Sequence, residues 1–384
     1  MSEIVIVGAG MVGATLALSL RRAGLEVCVL DERPVPSALP DEGPTAASGA
    51  GLTSPATRRV SAFTPGTIRF LTELGVWRDV AGAAPFDAME VWDARGTASL
   101  DLPAKGVIVE NARVESALHA ATDVDWGRRV TSVNKVADGF DLELDDGMTL
   151  SPLLLIGADG AASRVRKAAG LRTIGWRYDQ QAVVANVLTE NPHHQVARQV
   201  FTPSGPLAFL PLADAHTSSI VWSSTEADTF MAASDEEACE KLNESFEGRL
   251  GEVRAISRRV MFPLQQQHAL SYVATGLALV GDAAHAIHPL AGQGANLGLQ
   301  DARCLAKVLA SARLEGRSPG DAGVLRAYQR ERQPHNVAVA GVMESLKRVF
   351  QVENPGFALV RNTGMKLLGG NDWLKDRLVA IASQ

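Results

Sequence analysis

Glu3-Ile4-Val5-Ile6-Val7-Gly8-Ala9-Gly10-Met11-Val12-Gly13 is the stretch whose reading decides the architecture of this chain. Four consecutive branched apolar residues, Ile4 to Val7, predict a short strand buried on both faces. The glycines come straight after it, residues 14–23 carry a helical pattern, Gly24 stops that pattern, and residues 26–30 form a second strand pattern. This is a complete βαβ unit around a GxGxxG motif, and Asp31 follows about 20 residues later, where an acid that receives a ribose is expected. Gly8 permits the tight turn, Gly10 lets backbone approach a pyrophosphate, and Gly13 lets the helix pack closely on the strand. The helix start at Met11 and Val12 offers unpaired N–H groups and the positive end of the helix dipole to the phosphates. Glu32 takes the ribose role if the strand runs one residue further. A carboxylate at that place favours a free ribose 2′-hydroxyl, which FAD and NAD both have.

A second strand pattern at residues 277–280 delivers Gly281 and Asp282 to a strand end, where open α/β sheets collect ligands. The Asp282 carboxylate can accept from hydroxyls of a ribityl or ribose group. Pro289 halts the chain, Gly292 and Gly294 let backbone come close to a flat ligand, and a helix starts at Ala295 and Asn296. Taken alone, the segment is equally a glycine-rich turn between a strand and a helix. A third apolar strand, residues 153–156, ends in Gly157-Ala158-Asp159-Gly160-Ala161-Ala162-Ser163-Arg164-Val165-Arg166.

In order and spacing, the GxGxxG, the Asp-Gly segment with Ser163 and Arg166, and the Gly-Asp segment at 281–282 resemble the three signatures of the FAD-dependent aromatic hydroxylases related to para-hydroxybenzoate hydroxylase. The Arg59-Val60-Ser61-Ala62 segment, residues 205–212, the run 288–298, and residues 328–332 with Asn336 are similar to the ubiquinone-biosynthesis hydroxylases within that family. The resemblance spans residues 3 to about 350, while the Pro/Ala/Gly/Ser-rich stretch 34–57 departs from it. It implies bound FAD, NAD(P)H as a transient electron donor, and dioxygen delivering one oxygen atom to an electron-rich ring. It also implies roles: Asp282 on the ribityl chain, Arg59 near the pyrophosphate, Asp159 in the cofactor-binding turn, the Ala295–Asn296 helix start facing the flavin ring, and Asn111 as a weaker cofactor candidate. No acid–base residue stands out, so no catalytic residue is assigned. Phe209, Trp222 and Pro289 are the candidates for lining a pocket for a hydrophobic aromatic substrate, with plain core packing as the alternative for the two aromatics. Other readings stay open: an NAD-dependent dehydrogenase or flavin-dependent oxidoreductase, a hydroxylase of another aromatic substrate, and a flavin-holding structural subunit of a biosynthetic complex.

The expected fold is α/β: a discontinuous Rossmann-like FAD-binding domain (residues 1–75, 101–175 and 270–335), an inserted antiparallel β-sheet substrate domain (76–100 and 176–269), and a helical C-terminal region (336–384). The short β-rich runs at 182–188, 196–201 and 219–223 suggest that sheet. Residues 235–250 predict a helix packed on it through Ala238, Leu242, Phe246 and Leu250. From Leu325 the chain reads as helical, with a break expected at Pro334. Apolar and basic residues alternate through 357–378 in a pattern that makes peripheral membrane or partner contact an open expectation, other ubiquinone-biosynthesis proteins included.

The bulk properties narrow the classes. With 384 residues and 46% hydrophobic content the chain exceeds one typical domain and can bury a large core. A net charge of −6 and the lack of a basic run argue against nucleic acid. Three widely spaced cysteines suggest neither a disulfide framework nor a zinc site, and point to a reducing compartment. His285 and His288 lack a third ligand, and Pro289 interrupts any helix that would hold them on one face, so no metal is expected. No apolar run reaches the ~18 residues of a membrane span, and no signal peptide is read, so a cytoplasmic protein, membrane-associated at most at the periphery, is the expectation.

Overall fold

The structure is a computed structural model, and it describes residues 3–37, 47–48, 51–52, 59–96, 98–287, 294–351 and 363. Pro289 and Gly292 therefore lie outside the described residues.

At its centre is a six-stranded sheet ordered Asp125–Trp126, Val27–Asp31, Ile4–Val7, Leu154–Gly157, Leu277–Leu279, Val273–Ala274. The pairings among the first five are parallel, with Ile4 to Val7 in register with Leu154 to Gly157 on one side and Val27 to Leu30 on the other. The three motif-bearing strands thus lie side by side although some 150 and 270 residues separate them in sequence, as the parallel crossovers of doubly wound sheets allow. Their apolar runs are buried on both faces, where Ile4, Ile6, Leu154, Leu155, Ile156, Leu277 and Leu279 are all at 0% exposure. The helix Met11–Arg22 covers one face against the helix Gly294–Leu314.

A nine-stranded sheet forms a second layer. Its path runs His285–Ala286, Val260–Ala269, Thr173–Thr189, Thr217–Ser224, Gly205–Pro211, Val196–Thr202, Ala88–Asp93, Ser99–Leu102, with Val253–Ile256 paired to Thr173–Thr189. Its pairings are antiparallel except that of Ala88–Asp93 with Val196–Thr202. Alternate residues point to opposite faces of a strand. One face carries Val183, Val187, Leu207, Phe209, Ile220 and Trp222, and it is closed by the helix Asp235–Phe246 through Ala238, Leu242 and Phe246. That helix begins with a capping box, Ser234 and Glu237 each bonding the other's backbone N–H. The other face looks back towards the motif sheet.

Two expectations fail here. The helix Ala322–Gln351 runs straight through Pro334 with no break. Proline removes one backbone hydrogen bond, but side chains on both flanks are held by one partner: Arg332 Nε donates to Asp301 Oδ1 at 2.8 Å and Asn336 Nδ2 to the same oxygen at 3.0 Å. Tertiary bonds outweigh the local penalty. The second failure concerns Phe209 and Trp222, which pack in the core and line neither of the two cavities at the ends of the motif strands. Both are about 1% exposed; Phe209 stacks on Phe246 at 3.7 Å between centroids, and Trp222 meets Phe230 edge-on at 4.9 Å. The strand Gly205–Pro211 is apolar on both faces, so its pattern carries no parity signal, whereas in Thr217–Ser224 the face that bears Ile220 and Trp222 is the more apolar one and packs beneath the helix.

Candidate cofactor and substrate site

Two cavities lie where the motif strands end. The first, about 400 Å³, is lined by Gly8, Gly10, Asp31, Glu32, Asp159 and Arg164 among others. The second, about 270 Å³, lies between the Gly-Asp turn and the free face of the large sheet.

The first cavity is built by the GxGxxG turn. Gly8 sits at φ +103°, and a Cβ there would come within 2.4 Å of the Ala158 carbonyl oxygen; at Gly13 it would come within 2.0 Å of the Gly8 carbonyl oxygen. A Cβ on Gly10 would meet nothing closer than 3.9 Å, so that position is open and its backbone faces free space. Two glycines therefore serve packing, and the third leaves room for a ligand at the start of a helix. Met11 turns its side chain into the core, and Val12 packs against Gly281 and Gly298, joining the first motif to the last. Asp31 ends its strand, accepting from Ala9 N–H at 2.7 Å and from Arg33 through N–H, Nε and Nη2 at 2.9 Å each. Burial pushes its pKa up, yet those bonds hold it below the usual value, so it is a carboxylate. Glu32 is exposed beside Arg164 at 3.3 Å.

The Asp-Gly segment shapes the wall between the cavities. Asp159 Oδ2 accepts from Arg164 N–H at 2.7 Å and Val165 N–H at 3.1 Å, while its Oδ1 is buried with no partner among the described residues. Ser163 caps the following helix by accepting from Arg166 N–H. Arg166, buried, donates to the carbonyls of Ala283 at 2.7 Å and Ala161 at 2.8 Å, stapling the Asp-Gly segment to the Gly-Asp turn.

Asp282 dominates the second cavity. Its side chain lines the cavity, is exposed, and has no hydrogen-bond partner among the described residues. Desolvation raises its pKa, offset in part by His285 and Arg59. An unpartnered carboxyl group facing a cavity is free to accept from ligand hydroxyls. Arg59 stands on the same cavity wall, its guanidinium 5.6 Å from the Phe262 ring centroid. It thus shares the lining of the second cavity with Asp282 and does not line the first. The sheet wall is made by Ala182, Val184, Ala208, Leu210 and Val221, the parity opposite to Phe209 and Trp222, with Gln199 and Ser223 as polar points. Asn296, at the start of the helix Gly294–Leu314, is 1% exposed; its Nδ2 donates to Ala62 carbonyl at 2.7 Å and its Oδ1 accepts from Thr64 N–H at 3.1 Å. Its side chain braces the helix start, leaving only first-turn backbone N–H groups for a ligand, and Ala295 beside it packs on the neighbouring core. Asn111 begins the helix Asn111–Ala121 and belongs to the lining of neither cavity; its N–H donates to Arg59 carbonyl at 2.9 Å, and its Oδ1 has no partner among the described residues. Among the described residues no group of three or more His, Cys, Asp or Glu could hold a metal.

The groups lining the two cavities suit an extended ligand with a nucleotide at one end and a polyhydroxylated linker leading to a flat ring at the other. Gly10 provides the open cradle and Asp282 the orphan acceptor. Comparison with known proteins agrees. The FAD binding domain family matches residues 1–342. The chain belongs to the FAD-dependent monooxygenases of this family. Within it, the chain is 35% identical to 3-demethoxyubiquinol 3-hydroxylase of Escherichia coli, covering 95% of this chain and 94% of that one. It is 33% identical to the mitochondrial ubiquinone biosynthesis monooxygenase COQ6 of Homo sapiens, covering 100% and 92%. Ubiquinone hydroxylase UbiL of Rhodospirillum rubrum is 35% identical, covering 95% and 85%. The fold is that of p-nitrophenol 4-monooxygenase PnpA from Pseudomonas putida, with a TM-score of 0.78 at 20% identity over 100% of this chain and 98% of that one. As a member of these flavoenzymes, the chain takes FAD as its cofactor, with NAD(P)H the usual donor in the family.

The sequence reading missed a buried polar cluster behind the turn: Asp301, His285, Arg332, Asn336 and Tyr272. Its members come from four separate segments. Residues 328–332 and Asn336 are marked by the family resemblance, but nothing in the spacing shows that they meet Asp301, which is fully buried.

Proposed function

We propose that this chain hydroxylates the aromatic ring of a polyprenyl phenol or quinol intermediate in ubiquinone biosynthesis, with FAD, NAD(P)H and dioxygen. The observation that carries the reading is the second cavity, which sets Asp282 and Arg59 opposite a wall of small and branched apolar side chains. Bound FAD would supply electron uptake from NAD(P)H and activation of dioxygen. The residues of the chain bind, orient and exclude water. Gly8, Gly10 and Gly13 with the first-turn N–H groups at Met11 and Val12 would hold the pyrophosphate; Asp31, with Glu32 beside it, the ribose. Asp282 would hold the ribityl hydroxyls, and the helix start at Gly294, Ala295 and Asn296 would offer N–H donors to negative charge on the ring system. The apolar sheet wall would seat the ring and keep water from competing for the transferred oxygen. A phenol or quinol ring is electron-rich already, which fits a described cavity wall whose only titratable members are Arg59 and Asp282.

The same reading divides the chain into a discontinuous cofactor domain (1–75, 101–175, 270–335), a sheet domain (76–100, 176–269) and a C-terminal region (336–384). No helix among the described residues is long and apolar enough to cross a membrane. A prenylated substrate favours peripheral contact with a membrane surface or with other proteins of ubiquinone biosynthesis. The test is NAD(P)H oxidation by the purified yellow protein: a prenylated phenol or quinol should accelerate it and be recovered with one added oxygen. An NAD(P)H-inert yellow protein would favour the flavin-holding structural subunit instead.

A further inference from the structure

Asp301 is a carboxylate with no exposure whose two oxygens are filled from four directions. Oδ2 accepts from His285 Nε2 at 2.5 Å and from Gly281 N–H at 3.2 Å. Oδ1 accepts from Arg332 Nε at 2.8 Å and Asn336 Nδ2 at 3.0 Å. Arg332 Nη2 in turn donates to Asn336 Oδ1 at 2.9 Å, and Asn336 Nδ2 is 3.3 Å from the Tyr272 hydroxyl. Burial drives the Asp301 pKa up, but His285 and Arg332 hold it below the usual range, so the group is ionised and accepts only. The Nε2 of His285 therefore carries the proton that it shares with Asp301.

A buried charge of this kind is strongly unfavourable unless fully paired, and breaking one partner leaves the rest exposed to that cost. Here the pairing has a direction. Gly281 opens the turn Gly281–Ala283 and His285 follows it, so the two flank Asp282 in the chain, and both end on the same oxygen. Gly281 is held at φ +59°, and a Cβ there would come within 3.1 Å of Val12, so the turn is fixed at a glycine that packs against the first motif. The two ends of the turn are pinned behind, and Asp282 alone projects forward into the cavity. Asp301 also sits on the helix whose start faces the same cavity, and Arg332 and Asn336 tie that helix to the long helix Ala322–Gln351.

We infer that Asp301 is a positioning residue of the cofactor site, which acts through Gly281 and His285 to hold the Asp282 carboxylate where FAD hydroxyls meet it. The inference rests on the FAD assignment of the preceding subsections. It separates Asp301 from an ordinary core residue by one property: its effect on FAD passes through Asp282.

The test is a double-variant cycle on FAD affinity, measured by ultrafiltration of the reconstituted holoprotein, with folding followed by circular dichroism. Asp301→Asn and Asp282→Asn should each weaken FAD by about tenfold or more, and the double variant should bind within about threefold of Asp282→Asn alone, because residues in one network are not additive. Fully multiplied losses, or wild-type affinity in Asp301→Asn, would overturn the inference. Should Asp301→Asn not fold, His285→Leu and His285→Gln decide: Leu removes a donor to Asp301 and should weaken FAD, Gln restores one and should recover most of the affinity, and equal affinity in both would refute the role. A wild-type protein that holds no FAD would instead refute the cofactor assignment itself.

Discussion

Asp282 and His268 show how differently a cavity-facing and a buried titratable group behave. Asp282 faces a cavity and has an open valence, so Asp282→Ala should remove most bound FAD while the fold survives; full flavin content in that variant would take Asp282 out of the cofactor role. His268 is 9% exposed, with both ring nitrogens unpartnered among the described residues, and burial with His285 nearby lowers its pKa to about 4. The sign follows from linkage. Between its ordinary value of 6.5 and about 4 the unfolded chain binds a proton at this position that the folded chain rejects. Stability should therefore decline as pH falls through that window, by up to about 3 kcal/mol at one pKa unit per ~1.4 kcal/mol. Urea melts of wild type and His268→Phe at pH 7 and pH 5 check this. An equal pH slope in the two proteins would show that His268 is not the group responsible. Neither role was legible from residue type alone: Asp282 was marked by its place after a strand, whereas the setting of His268 depends on contacts from segments far away in sequence.

At the scale of an element, the strand Gly205–Pro211 carries two functions on its two faces. Phe209 points into the layer beneath the helix Asp235–Phe246, so Phe209→Ala should cost about 3–5 kcal/mol of stability, as large-to-small changes of buried aromatics do. Ala208 and Leu210 point into the second cavity. Ala208→Phe should raise KM for the aromatic substrate or abolish turnover with little loss of stability, and unchanged kinetics there would mean the substrate does not use this wall. Residues 205–211 are apolar at nearly every position, and the alternation that normally reveals a strand's inner face is missing, which is why Phe209 reads as a pocket candidate; Trp222 lies on the strand Thr217–Ser224, where serines stand on both faces and an aromatic ring suits a core or a pocket alike. The helix that carries Pro334 illustrates the same limit. A proline break is a local rule, and Asp301 overrules it through Arg332 and Asn336, side chains whose common partner no spacing announces. The three nucleotide motifs were readable because their chemistry is local: a strand end, small residues and a helix start.

For the whole molecule, the cofactor assignment makes stability and function interdependent. Three sequence segments meet at the two cavities, and their connections run through Arg166, Val12 and Asp301. A ligand that spans them binds only the folded chain, so FAD at about 100 times its Kd should add about 2.7 kcal/mol to stability. Thermal melts of apo and FAD-saturated protein check it; coincident melts would mean that FAD does not bridge the folded segments. The account turns finally on oxygen transfer itself, which is tested most directly by turnover under ¹⁸O₂ with NAD(P)H and a prenylated phenol or quinol. It predicts product carrying one ¹⁸O atom on the ring, and an oxygen derived from water, or NAD(P)H consumption with no hydroxylated product, would contradict it.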